Sequence, residues 1–290
     1  MDEQRVADRR LPQRAAEPGL EGSLEAGGPT MRLLCFPFSG GSATSYRGLG
    51  TCFDSIEVST FELPGRGRRF SEPALERCEP MVEDLLQQIR PRIRAPYALF
   101  GHSMGALLAY LIAKRVIAEG LPCPAHLFVS GSRAPAVIFS ERWHLLPRQE
   151  FHRVLAELGG CPPAILSDPE LMALYEPVLR ADFGAMASYR HEPSAPFEFP
   201  ITAVIGQEDR VSHDQARAWQ QETVQPLRLE RFAGGHFFIF RHWQQIQRLI
   251  SARLSCAREG DPSGPGRRQE RPPHQARVSS GVLRPGVGSE

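Results

Sequence analysis

The sequence predicts an α/β fold, a mostly parallel central sheet with helices on both faces, and three observations predict it. Short apolar runs alternate with helical patterns along the chain, the order that a parallel sheet with crossover helices requires. Those runs are apolar throughout rather than at every second residue, as strands covered on both faces are. One of them, residues 97–100, passes through a Gly–His–Ser–Met–Gly turn directly into a helical segment.

Taken in order, the strand-like runs fall at 31–36, 56–61, 97–100, 126–130, 201–205 and 227–232. After the second, residues 79–90 place Val82, Leu85, Leu86 and Ile89 on one helical face. Pro91 ends that helix, because it lacks an N–H and its ring clashes with the preceding turn. Residues 104–119 are mostly Ala, Leu, Ile and Met and read as a buried helix. Residues 241–256 carry Trp243, Ile246, Leu249, Ile250 and Leu254 at amphipathic spacing. The alternation breaks at about 135–195, where helical stretches (148–158 and 170–189) occur without a strand. A helical insertion between consecutive strands stands above the carboxyl ends of the sheet, where a lid lies. An extra packing subdomain is the plain alternative.

Of the 290 residues, 41% are hydrophobic, enough for one sizeable core. Residues 1–30 and 258–290 are rich in charge, Gly and Pro and have no periodicity. They are expected to be disordered extensions of a folded domain at 31–257, since segments that bury little apolar surface do not offset their ordering entropy. Met31, immediately before the first strand, is expected to be the translation start, so that deleting residues 1–30 leaves folding and activity intact. The 34 Lys and Arg against 33 Asp and Glu leave a formal charge of +1, without the basic excess of a nucleic-acid binder. The cysteines (Cys35, Cys52, Cys78, Cys123, Cys161 and Cys256) form no CxxC pair and no metal spacing, and read as apolar fillers in a reducing compartment. The polar N-terminus has no secretory pattern, and no apolar run approaches the ~18 residues of a membrane span. A cytoplasmic location is the expectation.

The turn Gly101-His102-Ser103-Met104-Gly105 is moderately specific alone, but its strand–turn–helix setting is the one a nucleophile elbow requires. A serine hydroxyl attacks only once a base takes its proton. In an α/β-hydrolase the partners follow as acid, then histidine. Of the nine histidines, His236 lies in a glycine-flanked loop between the last strand and last helix, where it reaches over the sheet. His213 and His242 read as helix residues, His274 falls in the tail, and His102 packs or hydrogen-bonds locally. Asp209, after the strand at 201–205, is the first choice of acid, with Glu208 and Asp214 as neighbouring alternatives. Oxyanion donors are expected from the backbone N–H of Met104 and, in the loop at 36–41, of Phe38. No Mg²⁺, Zn²⁺ or nucleotide pattern is present, so no metal or cofactor is expected.

Over residues 31–255 the chain resembles the type II thioesterases of polyketide and nonribosomal peptide synthesis, and is similar to stand-alone medium-chain fatty acyl thioesterases. The resemblance rests on Cys35-Phe36-Pro37-Phe38-Ser39-Gly40-Gly41, Glu62-Leu63-Pro64-Gly65-Arg66 and the turn around Ser103. It continues through Leu179-Arg180-Ala181-Asp182-Phe183, Gly206 to Asp209, and Gly234-Gly235-His236-Phe237-Phe238. Tyr175-Glu176-Pro177 departs from the apolar residues expected before Leu179. The resemblance implies an α/β-hydrolase fold with a lid, and hydrolysis of acyl or peptidyl thioesters from the phosphopantetheine arms of carrier proteins. It implies an editing role that clears aberrant or stalled groups, by an enzyme expected to be a monomer. Arg66, Arg68 and Arg69 are candidates for docking an acidic carrier protein, with solvated surface arginines as the alternative. An oxygen-ester esterase, an acyl transferase or cyclase, and a catalytically silent carrier binder are the rival readings.

Overall fold

The computed structural model describes residues 31–259, apart from 51, 52, 54, 95, 138 and 140. Its strands are β1 (Met31–Phe36), β2 (Ile56–Thr60), β3 (Tyr97–His102), β4 (His126–Ser130), β5 (Ile201–Gly206) and β6 (Arg228–Phe232). They form one sheet in the order β2-β1-β3-β4-β5-β6, every pair parallel. Each expected strand is present: β1 and β4 match the expected bounds, and the other four differ at one end by one or two residues. β3 runs on to His102, so the first residues of the turn still pair with the sheet, Gly101 opposite Val129 and His102 opposite Ser130. Phe61 falls outside β2 yet is buried, stacked on Phe36. Leu227 precedes β6, its N–H donated to the Gln220 side chain.

The helices are α1 (Arg47–Gly50), α2 (Cys78–Ile89), α3 (Met104–Ala118), α4 (Arg148–Leu158), α5 (Pro163–Leu166), α6 (Pro169–Ser188), α7 (His213–Arg217) and α8 (Trp243–Glu259). On one sheet face, Met81, Leu85 and Leu86 of α2 and Leu108 and Ile112 of α3 pack with Leu34, Leu99 and Val129. On the other, Ile246, Ile250 and Leu254 of α8 pack with Leu33, Ala98 and Phe100. α8 continues through Arg258 and Glu259. The remainder of the two expected tails, and His274, lie outside the described residues. Pro91 sits in a 3₁₀ turn directly after α2.

The insertion contains α4, α5 and α6 and has a small core of its own, Phe151, Leu155, Met172, Leu179 and Phe183. Asp168 caps α6, its carboxylate accepting from the N–H groups of Glu170 and Leu171. Among the described residues no helix is long and apolar enough to cross a membrane.

The strand order positions the site. From β1 the chain moves to β2 on one side and then crosses to β3 on the other. The loops leaving β1 and β3 therefore diverge, and the crevice between them at the carboxyl ends of the strands is where such sheets bind ligands.

Candidate active site

Ser103 has φ 55° and ψ −120°, and is the only non-glycine residue with positive φ among those described. Such a conformation costs about 1–3 kcal/mol and persists only where the surroundings over-determine it. Here Ser103 N–H is donated to Ser130 O at 2.8 Å, and Ser103 O accepts from Ala106 N–H at 3.0 Å. The flanking glycines are required by contact. A Cβ on Gly101 would lie 2.0 Å from Gly105 O, and one on Gly105 would lie 2.3 Å from Phe36 O. The turn is thus pressed against itself and against β1, leaving the hydroxyl projecting over the sheet.

His236 Nε2 stands 3.0 Å from Ser103 Oγ, and His236 Nδ1 stands 3.0 and 3.1 Å from the two oxygens of Asp209. The Asp209 side chain is fully buried and that of His236 is 12% exposed. A carboxylate accepts only, so Nδ1 carries the proton and Nε2 is left to accept from the serine hydroxyl. The two alternative acids stand elsewhere. Glu208 accepts the Gly234 N–H, bracing the loop that carries His236. Asp214 is almost fully exposed beside His213 at the start of α7.

His102 is buried, with Nδ1 3.0 Å from Ser130 Oγ and its ring 5.0 Å from that of His236. Burial first, and His236 second, hold its pKa well below the ordinary histidine value, so it stays neutral beside the reactive imidazole. His242, expected from sequence to be a helix residue, stands just before α8 instead. Its nitrogens bond Gln245 Oε1 and Ala233 O, each at 2.9 Å, which ties down the base of the His236 loop.

Met104 opens α3 directly after Ser103, at a helix end whose N–H groups lack intrahelical partners and favour negative charge. Phe38, Ser39 and Gly40 line the same cavity as Ser103 and His236. This cavity, about 300 Å³, draws its far wall from the insertion: Phe139, Trp143, Leu155, Leu158, Ile165 and Phe183. An apolar slot ending at the Ser103 hydroxyl is suited to an acyl chain whose carbonyl meets the serine. Among the described residues, no group of three or more His, Cys, Asp or Glu side chains is placed to hold a metal ion.

The arginine cluster departs from expectation. Arg66 is 4% exposed and forks onto both oxygens of Asp182 at 2.7 and 2.8 Å, so it presents no charge to a partner. Arg69 pairs with Glu72 and Asp84, and of the three only Arg68 is exposed. Asp182 was missed as a functional candidate, although an acid between Ala181 and Phe183 on an otherwise apolar helix face was a signal for it. Glu176, in the stretch that departs from the family pattern, gathers Arg148, His152 and Arg180 at 3.0, 2.9 and 2.8 Å.

A family model described as the thioesterase domain matches residues 31–254. The gramicidin S biosynthesis protein GrsT of Aneurinibacillus migulanus is 38% identical over 227 residues, 77% of this chain and 89% of that relative. Thioesterase PikA5 of Streptomyces venezuelae is 33% identical over 231 residues, 79% of this chain and 82% of the relative. Among solved structures, the type II thioesterase BorB from the borrelidin biosynthetic cluster aligns with TM-score 0.72 and 35% identity, covering 78% of this chain and 93% of that one. The thioesterase RedJ from the prodiginine pathway of Streptomyces coelicolor aligns with TM-score 0.72 and 34% identity, covering 84% and 92%.

Proposed function

This chain belongs to the thioesterase family, and from that premise we propose that it is a type II enzyme acting on carrier proteins. It hydrolyses acyl or peptidyl thioesters from the phosphopantetheine arms of polyketide or nonribosomal peptide synthases, clearing aberrant or stalled groups. Relatives named for gramicidin S biosynthesis and for the borrelidin and prodiginine pathways support the partner class. The observation that carries the reading is the unbroken line Asp209–His236–Ser103 at the end of an apolar cavity.

In this reading His236 Nε2 takes the hydroxyl proton as Ser103 Oγ attacks the thioester carbonyl, and Asp209 stabilises the imidazolium. The N–H groups of Phe38 and Met104 receive the oxyanion. The tetrahedral species collapses as the His236 imidazolium gives its proton to the departing pantetheine sulfur, a good leaving group whose thiol has a pKa of about 8.5, leaving an acyl-serine and a neutral imidazole. His236 then removes a proton from water, which attacks the acyl-serine, and returns that proton to Ser103 Oγ as the acid departs. The cycle uses no cofactor.

We place the enzyme in the cytoplasm as a monomer. The free thiols of Cys35 and Cys78 suit a reducing compartment. Charged residues on both edge strands, Glu57 on β2 and Arg228, Glu230 and Arg231 on β6, oppose pairing between copies. The apolar wall of the cavity favours a second reading, hydrolysis of plain medium-chain fatty acyl thioesters.

The deciding experiment loads a carrier protein with a panel of fatty acyl, polyketide-like and aminoacyl groups and follows release of free acid by mass spectrometry. Ser103→Ala is expected to reduce release by about 10⁴-fold or more. Normal hydrolysis by that variant would end the mechanism. A ring, ester or amide as product would turn the reading to acyl transfer, and release confined to fatty acyl groups would favour the second reading.

A further inference from the structure

The turn that carries Phe38 is held from the insertion. Gly41 N–H is donated to Phe38 O at 2.8 Å, closing a four-residue turn in which Gly40 has φ +72°. A positive φ at the third position of such a turn is what glycine adopts without strain. The closing bond uses neither of the middle N–H groups. That of Gly40 is donated to Asp182 Oδ2 at 2.7 Å, from a helix 142 residues further along the chain. Two more contacts come from the same stripe of α6. A Cβ on Gly40 would lie 2.6 Å from Leu179 Cδ2, and Ser39 Oγ donates to Met186 Sδ at 3.6 Å. Leu179, Asp182 and Met186 stand at i, i+3 and i+7, one face of the helix. Arg66 holds Asp182 in place by gripping both of its oxygens, and the two side chains are 3% and 0% exposed.

We propose that Asp182 is a positioning residue for thioester hydrolysis. It clamps the 38–41 turn through Gly40 N–H, aims Phe38 N–H at the developing oxyanion, and makes catalysis depend on α6 being seated on the turn. This role rests on Phe38 acting as an oxyanion donor. A strut that merely keeps the insertion folded would act on the wall of the acyl cavity and weaken substrate binding, whatever its effect on melting. A clamp on the oxyanion site acts on the transition state, so it lowers kcat and spares KM.

The test uses the full chain, an octanoyl thioester of N-acetylcysteamine as substrate, and two inhibitors. An alkyl trifluoromethyl ketone forms a serine adduct whose oxyanion occupies the hole, and the matching methyl ketone serves as a ground-state comparison. Asp182→Asn keeps the shape but removes the charge that Arg66 and Gly40 share. Asp182→Glu keeps the charge beside Arg66 and shifts the acceptor by one methylene. Both are expected to lower kcat about tenfold to a hundredfold with KM unchanged. Both should weaken the trifluoromethyl ketone by the same factor and leave the methyl ketone unaffected. Should Asp182→Asn fail to fold, the Glu variant carries the test. Wild-type kcat in a folded variant, or equal weakening of both ketones, would overturn the clamp. Hydrolysis that survives Ser103→Ala would overturn the serine mechanism itself, a result separable from any outcome at Asp182.

Discussion

His126 begins β4, where its ring stacks on Phe128 at 4.2 Å and its Nε2 shares a hydrogen bond with Thr202 while Nδ1 has no partner. Burial, with Arg253 adding to it, pushes its pKa down to about 3. The unfolded chain protonates this histidine near pH ~6.5, whereas the folded chain resists until far lower, so the unfolded state binds more protons across that window. The contribution is therefore fully present above pH ~6.5 and is lost as pH falls towards about 3, at about 1.4 kcal/mol per unit. Urea unfolding at pH 7.5 and 5.0 should show about 2 kcal/mol of this loss in the parent chain, absent from His126→Phe. An identical pH dependence in the variant would refute the assignment. At this scale the sequence was readable where a residue's neighbours along the chain define its setting. Ser103, Asp209 and His236 were named from the strands they follow, and the structure brings them within hydrogen-bond distance. From sequence Arg66 looks like a surface charge, because its partner, Asp182, stands 116 residues away and local spacing carries no trace of that pairing.

Between the helices of the insertion, aromatic and aliphatic side chains shape the cavity wall, and this sets an expectation for substrate length. Each methylene that passes from water into such a slot is worth about 0.8 kcal/mol, or about fourfold in kcat/KM. A series of straight-chain acyl thioesters should climb by that factor per carbon until the slot is filled and then fall. A flat series would show that the acyl chain does not enter between Leu155, Phe183 and Trp143. The strands and long helices were legible because each carries its signal within one segment, a continuous apolar run or a stripe such as Val82, Leu85, Leu86 and Ile89. α1, α5 and α7 were not, since helices of four or five residues are too short for periodicity and too short to be stable without tertiary contacts. How α4, α5 and α6 sit on the sheet was also beyond reach, because it depends on contacts such as Trp143 edge-on to Phe183 rather than on any local pattern.

For the molecule as a whole, the six parallel strands and the reversal between β1 and β3 bring loops from remote parts of the chain to one rim of the sheet. Order along the chain and order across the sheet differ only at that reversal, so the sequence announced the layers but not the neighbours of β1. The buried carboxylate that joins Gly40, Arg66 and α6 has a consequence in time. Its bonds close loops of 116 and 142 residues, and contacts of such separation are expected to form after the nearer ones, since closure entropy rises with the length of the loop. Interactions absent from the transition state govern escape from the native state rather than arrival at it. Stopped-flow chevrons of Asp182→Asn should accordingly show faster unfolding at nearly unchanged refolding rate, and slowed refolding would place the knot in the nucleus instead. On this view the clamp sets a clock, governing how long a finished molecule endures before it opens.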